Sequence, residues 1–209
     1  MDEAASRGSH LIVTYHPTPF RGTKRVVRSD PVGRVMLKCF RSGMAVYSTH
    51  TALDSVPGGV NDWLVNGLGS GTVVPAMPDV DATIEGAGMG RVLTLGASSS
   101  AGGAGAGAGA GAGVEASDGS RTMLSDVIAR AKQHLKLDHV RVAIAMERLA
   151  TAQATATSVM EAAASTPVNT IAVCAGSGAS VLGGVDADVW VTGMMVQCWG
   201  RGGLGSTVA

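Results

Sequence analysis

Aromatic side chains are scarce in this chain: Phe, Tyr and Trp make up 3% of its 209 residues. A core must therefore be packed from Val, Leu, Ile, Met and Ala, and at 45% hydrophobic content there is enough for one domain or two small lobes. Cysteine is nearly as rare. Cys39, Cys174 and Cys198 are odd in number and far apart, which fits neither a disulfide framework nor a zinc-ligand spacing and suits a reducing compartment. Net charge is missing too, because sixteen Lys and Arg cancel sixteen Asp and Glu. With no overall field to attract a polyanion or a membrane surface, nucleic acid is not the default partner.

Long apolar runs are also absent. None reaches the roughly 18 residues of a membrane span, and the nearest candidate, Thr170 to Val191, is broken by glycines and by Asp186 and Asp188. Asp2 and Glu3 open the chain with no apolar stretch behind them, so no secretory signal or transit peptide is expected. We expect a cytoplasmic protein, with the nucleus as the alternative compartment.

What the chain does contain is two apolar runs that end on polar groups. LIVTYHPTPF (Leu11 to Phe20) ends its run on His16, and YSTHTALD (Tyr47 to Asp54) carries His50 and Asp54. Leu11 to Tyr15 reads as a short buried strand. From Pro31 to Ser42 the residues Val32, Val35, Met36, Cys39 and Phe40 recur at helical spacing, with Pro31 suited to the first turn and Gly43 to the C-terminal cap. Ala45 to Ser48 is a second strand. Strand, helix and strand in that order predict a parallel pair joined by a right-handed crossover. The C-terminal ends of neighbouring parallel strands open on one edge of the sheet, where α/β proteins place their chemistry, so His16 and Asp54 are expected to converge there. Pro57 to Leu68 reads as a further helix with Val60, Trp63, Leu64 and Leu68 on one face.

Between residues 97 and 120 the composition changes to alternating Ala and Gly, which buries too little surface to offset its ordering entropy. We read it as a flexible insertion between an N-terminal lobe, residues 1–96, and a C-terminal lobe, residues 121–193; a silk-like strand is the weaker alternative. In the second lobe Leu124, Val127, Ile128, Ala131 and Leu135 mark an amphipathic helix with Arg130, Lys132 and Lys136 toward solvent. Val140, Val142 and Ile144 alternate as a strand, and Thr151 to Thr166 is either a second insertion or a weak helix. Ile171 to Ala175 and Val189 to Thr192 are strands, with GSGAS between them as a turn into a helix.

Five segments resemble one known family in both wording and order: TYHPTPFRGTKR (Thr14 to Arg25), YSTHTALDSVPGGVNDWL (Tyr47 to Leu64), EGAGMGRVLTL (Glu85 to Leu95), HLKLDHVRVA (His134 to Ala143) and VCAGSGASVLGGVDADVWVTG (Val173 to Gly193). The family is the NIF-three-like proteins, also called GTP cyclohydrolase 1 type 2 homologues. The resemblance implies an α/β protein of two lobes, ring-shaped homo-oligomers and a dinuclear divalent-metal site in the cleft. It makes His16 and Asp54 metal ligands, with Tyr15 standing where some members have a second histidine. Imidazole nitrogen and carboxylate oxygen suit zinc, manganese or iron.

Each of these residues also has a plainer reading. His16 is otherwise a polar strand end, and Asp54 a cap before the Pro57 helix. His50 either orients a ligand or bound water, or is structural. Gly176, Ser177 and Gly178 either offer backbone N–H groups to an anion or form a tight turn, since a glycine pair without a P-loop lysine is weak evidence. Arg21, Lys24, Arg25 and Arg28 are a steering patch, a nuclear signal or a solvated loop.

Two departures from the family bear on the site. The family normally has a strand and a helix before the LIVTYHP segment. After VTG it continues with histidines and a glutamate that complete the metal site, where residues 194–209 read MMVQCWGRGGLGSTVA. We therefore expect a chain truncated at both ends with a divergent tail, and weak metal binding, because two protein ligands are fewer than stable catalytic sites hold. A metal-dependent hydrolase with an incomplete site is the first expectation. A non-catalytic protein-interaction or transcription-coregulator partner is the alternative, and a fragment that does not fold alone is the third.

Overall fold

A computed structural model describes residues 1–96, 121–145, 158–193 and the backbone of residues 206–208. The described residues form α helices and β strands, the α/β class expected, in two compact units that divide between Leu53 and Asp54.

In the first unit a short helix α1 (Asp2–Ser6) precedes strand β1 (Leu11–Thr14), helix α2 (Pro31–Arg41) and strand β2 (Ala45–Ser48). The strands pair in parallel, Leu11 opposite Ala45 through Thr14 opposite Ser48, as the strand, helix, strand order predicts. Helix α2 starts where its sequence says it should. Asp30 is the N-cap, its carboxylate accepting the Gly33 N–H at 2.8 Å, and Pro31 fills the first turn, where an N–H would go unused. The far end closes in a Schellman pattern: the Met44 N–H reaches the Cys39 carbonyl and the Gly43 N–H the Phe40 carbonyl, with Gly43 at φ +63°. One expectation fails. Strand β1 is not buried: Leu11 and Val13 are 55% and 65% exposed. Among the described residues of this unit the sheet has two strands, and the face shared by Leu11, Val13, Ala45 and Tyr47 is left open.

The division between the units falls inside helix α3 (Thr51–Ser55). The second unit continues with helix α4 (Val60–Asn66), strands β3 (Gly71–Val74), β4 (Met77–Pro78), β5 (Gly88–Met89) and β6 (Arg91–Leu95), then helix α5 (Leu124–Leu135) and strand β7 (Val142–Ala143). Helix α6 (Val159–Ser165), strand β8 (Thr170–Cys174), helix α7 (Ala179–Leu182), strand β9 (Val189–Thr192) and strand β10 (Ser206–Val208) complete it. Six strands form one sheet in the order β3, β6, β8, β9, β10, β7, with β8, β9 and β10 mutually parallel. Strand β8 is buried on both faces, so its alternating side chains feed two cores. Ile171 and Val173 join Leu93, Val65, Leu124, Val127 and Ile128 on the side of α4 and α5, while Ala172 and Cys174 join Leu182, Ala187 and Trp190 on the other.

Three expectations are corrected here. The lobes were expected to divide at residues 97–120, yet β6 and β8, on either side of that segment, pair antiparallel from Arg91 opposite Val173 to Thr94 opposite Thr170. They belong to one sheet, and the compact units divide at Leu53 instead; residues 97–120 themselves lie outside the described residues. The helix expected from Pro57 begins at Val60, after the Pro57-Gly58-Gly59 turn, and it buries only part of the expected face, Leu64 and Leu68 packing against the core. Trp63 is 51% exposed, and the buried positions are Asn61, Val65 and, just past the helix, Leu68, because Asn61 has internal partners for its amide. In the tail, Ser206–Val208 is a strand between β9 and β7. Within Thr151 to Thr166, Val159–Ser165 is helix α6, capped by Ser158 and Glu161; residues 151–157 lie outside the described residues.

Candidate metal centre

In the first unit the end of β1 and the end of β2 bring together four rings. The His16 and His50 centroids are 5.6 Å apart, Tyr15 stands edge-on to both at 5.0 and 6.1 Å, and Phe20 closes the group at 6.3 Å from His16 and 5.4 Å from His50. The convergence follows from the topology. Parallel strands end on one edge, so residues that follow β1 and β2 meet although 34 positions separate the two histidines. The junction is tied by hydrogen bonds from the His50 backbone N–H to the Tyr15 carbonyl at 3.0 Å and from the Ser48 hydroxyl to the same carbonyl at 2.7 Å. His50 also adopts φ +37°, a left-handed conformation that costs a β-carbon-bearing residue of order 1 kcal/mol and tends to mark functional sites.

With metal–nitrogen bonds of about 2.1 Å and a tetrahedral angle, two imidazole centroids lie about 5 to 6 Å apart; the His16 and His50 centroids are 5.6 Å apart, with the rings tilted by 55°. Tyr15 lies beside both and supplies a phenol oxygen, a poorer ligand for such ions than imidazole.

Asp54 belongs to the second unit, where it is 7% exposed within α3. Its backbone carbonyl accepts the Asn61 side-chain N–H at 2.8 Å, and the same amide's oxygen accepts the Ala175 N–H at 2.8 Å. Arg91 fixes the next two residues, its Nη2 donating to the Ser55 and Val56 carbonyls at 3.5 and 3.3 Å. Asp54 also acts on Cys174: burial pushes that thiol up to about 11, and the carboxylate's negative charge adds to the rise. The sequence reading missed Asn61 and Arg91, although both fall in quoted segments. A polar residue at a helix position facing the sheet, and an arginine opening an apolar strand, were the signals available.

The Gly176 to Gly178 segment is the turn expected. Gly176 and Gly178 take φ +74° and +55°, the Thr192 hydroxyl donates to the Gly176 carbonyl at 2.7 Å, and a β-carbon on Gly178 would sit 2.8 Å from Thr192 Oγ1. Among the described residues, no three His, Cys, Asp or Glu side chains form a group able to hold a metal ion. No helix among them is long and apolar enough to cross a membrane.

Residues 1–196 match the Duf34/NIF3 (NGG1p interacting factor 3) family. The chain belongs to that family. It is 32% identical over 187 residues to the NIF3 homologue of Schizosaccharomyces pombe, covering 87% of this chain and 53% of that protein, so it spans little more than half the relative's length. Over 68 residues, 32% of this chain and 18% of the relative, it is 43% identical to the GTP cyclohydrolase 1 type 2 homologue of Bacillus subtilis. Among solved structures, the Bacillus cereus protein related to NIF3 shares the fold with a TM-score of 0.60 and 18% identity, covering 99% of this chain and 73% of the other. Membership in the Duf34/NIF3 family thus rests on the sequence match, and the likeness of backbone shows the fold.

Proposed function

We propose that this NIF3-family chain binds a divalent metal, zinc, manganese or iron, through His16 and Asp54 with His50 beside them, and that the ligand set is that of a metal-dependent hydrolase left incomplete. The observation that carries the reading is the 5.6 Å separation of the His16 and His50 rings at a strand-end junction where His50 holds a strained backbone. Within the second unit, Asn61 and Arg91 fasten the backbone that carries Asp54. A bound divalent cation would supply Lewis-acid polarisation and a water that loses its proton near neutrality, chemistry suited to opening a purine-type ring or cleaving a phosphoester. The name of the Bacillus subtilis relative is in keeping with that substrate class.

A second reading, a non-catalytic interaction partner, is favoured by the lack of a three-residue ligand group among the described residues and by the words "interacting factor" in the family's description. Titrating the metal-stripped protein with zinc or manganese by calorimetry separates the two. Weak binding, lowered at least tenfold by His16→Ala and by Asp54→Asn, supports the metal reading. Binding that neither substitution changes, or none at all, leaves the interaction reading.

A further inference from the structure

We propose that the unit Met1–Leu53 carries a binding surface for single-stranded nucleic acid, in which exposed cations between Arg21 and Arg41 hold phosphates and Phe20 stacks on a base. The zero net charge of the chain conceals a segregation that coincides with the two units. Residues 1–53 hold eight of the sixteen basic side chains and three of the sixteen acidic ones, a balance of +5; residues 54–209 hold eight and thirteen, a balance of −5. Charge asymmetry of this size between parts of one chain is an electrostatic footprint for a polyanion that the averaged charge does not show.

The cations are concentrated and available. Seven of the eight lie between Arg21 and Arg41, where the one acid, Asp30, is committed to capping α2. Lys38 pairs with Asp2. Arg21, Lys24, Arg25, Arg28 and Arg41 are exposed and make no ion pair among the described residues. Arg34 spends its Nη1 donors on the Arg28 and Ser29 carbonyls at 3.2 and 3.4 Å, which leaves its charge uncompensated while tying the loop to the helix. The loop is further fastened by the Thr23 hydroxyl on the Arg25 carbonyl at 2.7 Å and by Val27 packed against Gly33, where there is no room for a β-carbon. On α2, Arg34, Lys38 and Arg41 stand at spacings of four and three and so share one side of the helix.

Phe20 decides among polyanions. It immediately precedes the basic loop, is 63% exposed, and is held perpendicular to the His50 ring at 5.4 Å. Exposed aromatic rings beside a track of cations are the components by which proteins hold single strands, whose every base offers a face to stack. An acidic protein or an anionic bilayer would engage the same cations but has no ring at each repeat for Phe20 to meet.

The test is fluorescence anisotropy of a labelled oligothymidylate with the full-length chain. Contact with about five phosphates predicts an affinity about 100-fold weaker at 200 mM than at 50 mM salt. Arg21→Glu combined with Arg25→Glu should lower affinity at least tenfold, as should Arg41→Glu, which lies on α2 and does not depend on the loop. Phe20→Ala should lower it about tenfold with the salt slope unchanged. Thermal melts check that each variant is folded. No binding at 50 mM salt overturns the proposal. So does equal competition by polyglutamate or phosphatidylserine vesicles with no effect of Phe20→Ala, which would assign the surface to an acidic protein or a bilayer.

Discussion

Arg91 and Asp62 meet in a two-bond ion pair, Nε to Oδ1 at 2.6 Å and Nη2 to Oδ2 at 2.8 Å, with the guanidinium side chain 2% exposed. Nη1 donates to the Gly88 and Gly90 carbonyls, both at 2.7 Å, and Nη2 also reaches Ser55 and Val56. One planar cation thus joins α4, the β5 turn and the backbone after Asp54, a use that needs the fixed fork of arginine and that lysine would not reproduce.

Asp62→Ala removes the sole carboxylate of that pair and leaves a buried cation with carbonyl partners alone. A loss of about 3 kcal/mol in unfolding free energy is expected, at the lower end for breaking a buried pair because the carbonyls remain. Urea denaturation measures it; a loss under about 0.5 kcal/mol, the range of ordinary surface changes, would contradict the buried pair.

Asn61→Ala removes the partner of two backbone groups at once, the buried Asp54 carbonyl and the part-buried Ala175 N–H. At about 1 to 3 kcal/mol per unsatisfied group the expected cost is about 2 to 4 kcal/mol. Asn61→Asp keeps an acceptor for Ala175 but sets a carboxylate against the Asp54 carbonyl, so it should be at least as damaging. Chemical denaturation of both variants checks the order.

Gly178→Ala tests the turn between β8 and α7. A β-carbon there faces Thr192 Oγ1 at 2.8 Å, in a left-handed backbone that costs an alanine about 1 kcal/mol on its own. A total of about 2 kcal/mol in stability is expected, with Thr192→Ser unable to relieve it because the clash is with the hydroxyl both residues carry.

The Cys174 thiol, raised from 9.0 to about 11 chiefly by burial and then by Asp54, titrates later in the folded protein than in the unfolded chain. The folded state holds the proton more tightly, so this contribution to stability is complete below pH 9 and is lost as the pH rises toward 11. Cys174→Ala should lose less stability over that window than the parent protein. Alkylation of Cys174 by iodoacetamide at pH 8 should be slower than that of an unhindered cysteine, and Asp54→Asn should speed it.

The elements set by local rules were legible in the sequence. Helix α2 was, because its Asp30, Pro31 and Gly43 signals act within a few residues; so were the β1 and β2 pair and the buried face of α5 at Leu124, Val127, Ile128 and Ala131. The strand-end meeting of His16 and His50 was half legible: the shared edge followed from parallel pairing, but His50 was expected as an orienting group, not as a ring 5.6 Å from His16. What depends on distant partners was not legible. Asn61 looks polar and solvent-bound until its amide is seen between Asp54 and Ala175, and β3 to β6 are short runs whose strand character comes from their partners, β3 and β8 for β6 and β5 for β4. The open face of β1 shows the reverse error. A short continuous apolar run marked Leu11 and Val13 for burial, but such a run names only the residues that seek cover.

The opposed charges of the two units also govern how the protein meets charged matrices. A molecule with its charges evenly mixed at an isoelectric point of 7.0 would pass both kinds of ion exchanger near neutrality. With +5 gathered in residues 1–53 and −5 in residues 54–209, this chain should be retarded by sulfonate and quaternary-amine resins alike, and released from each by modest salt.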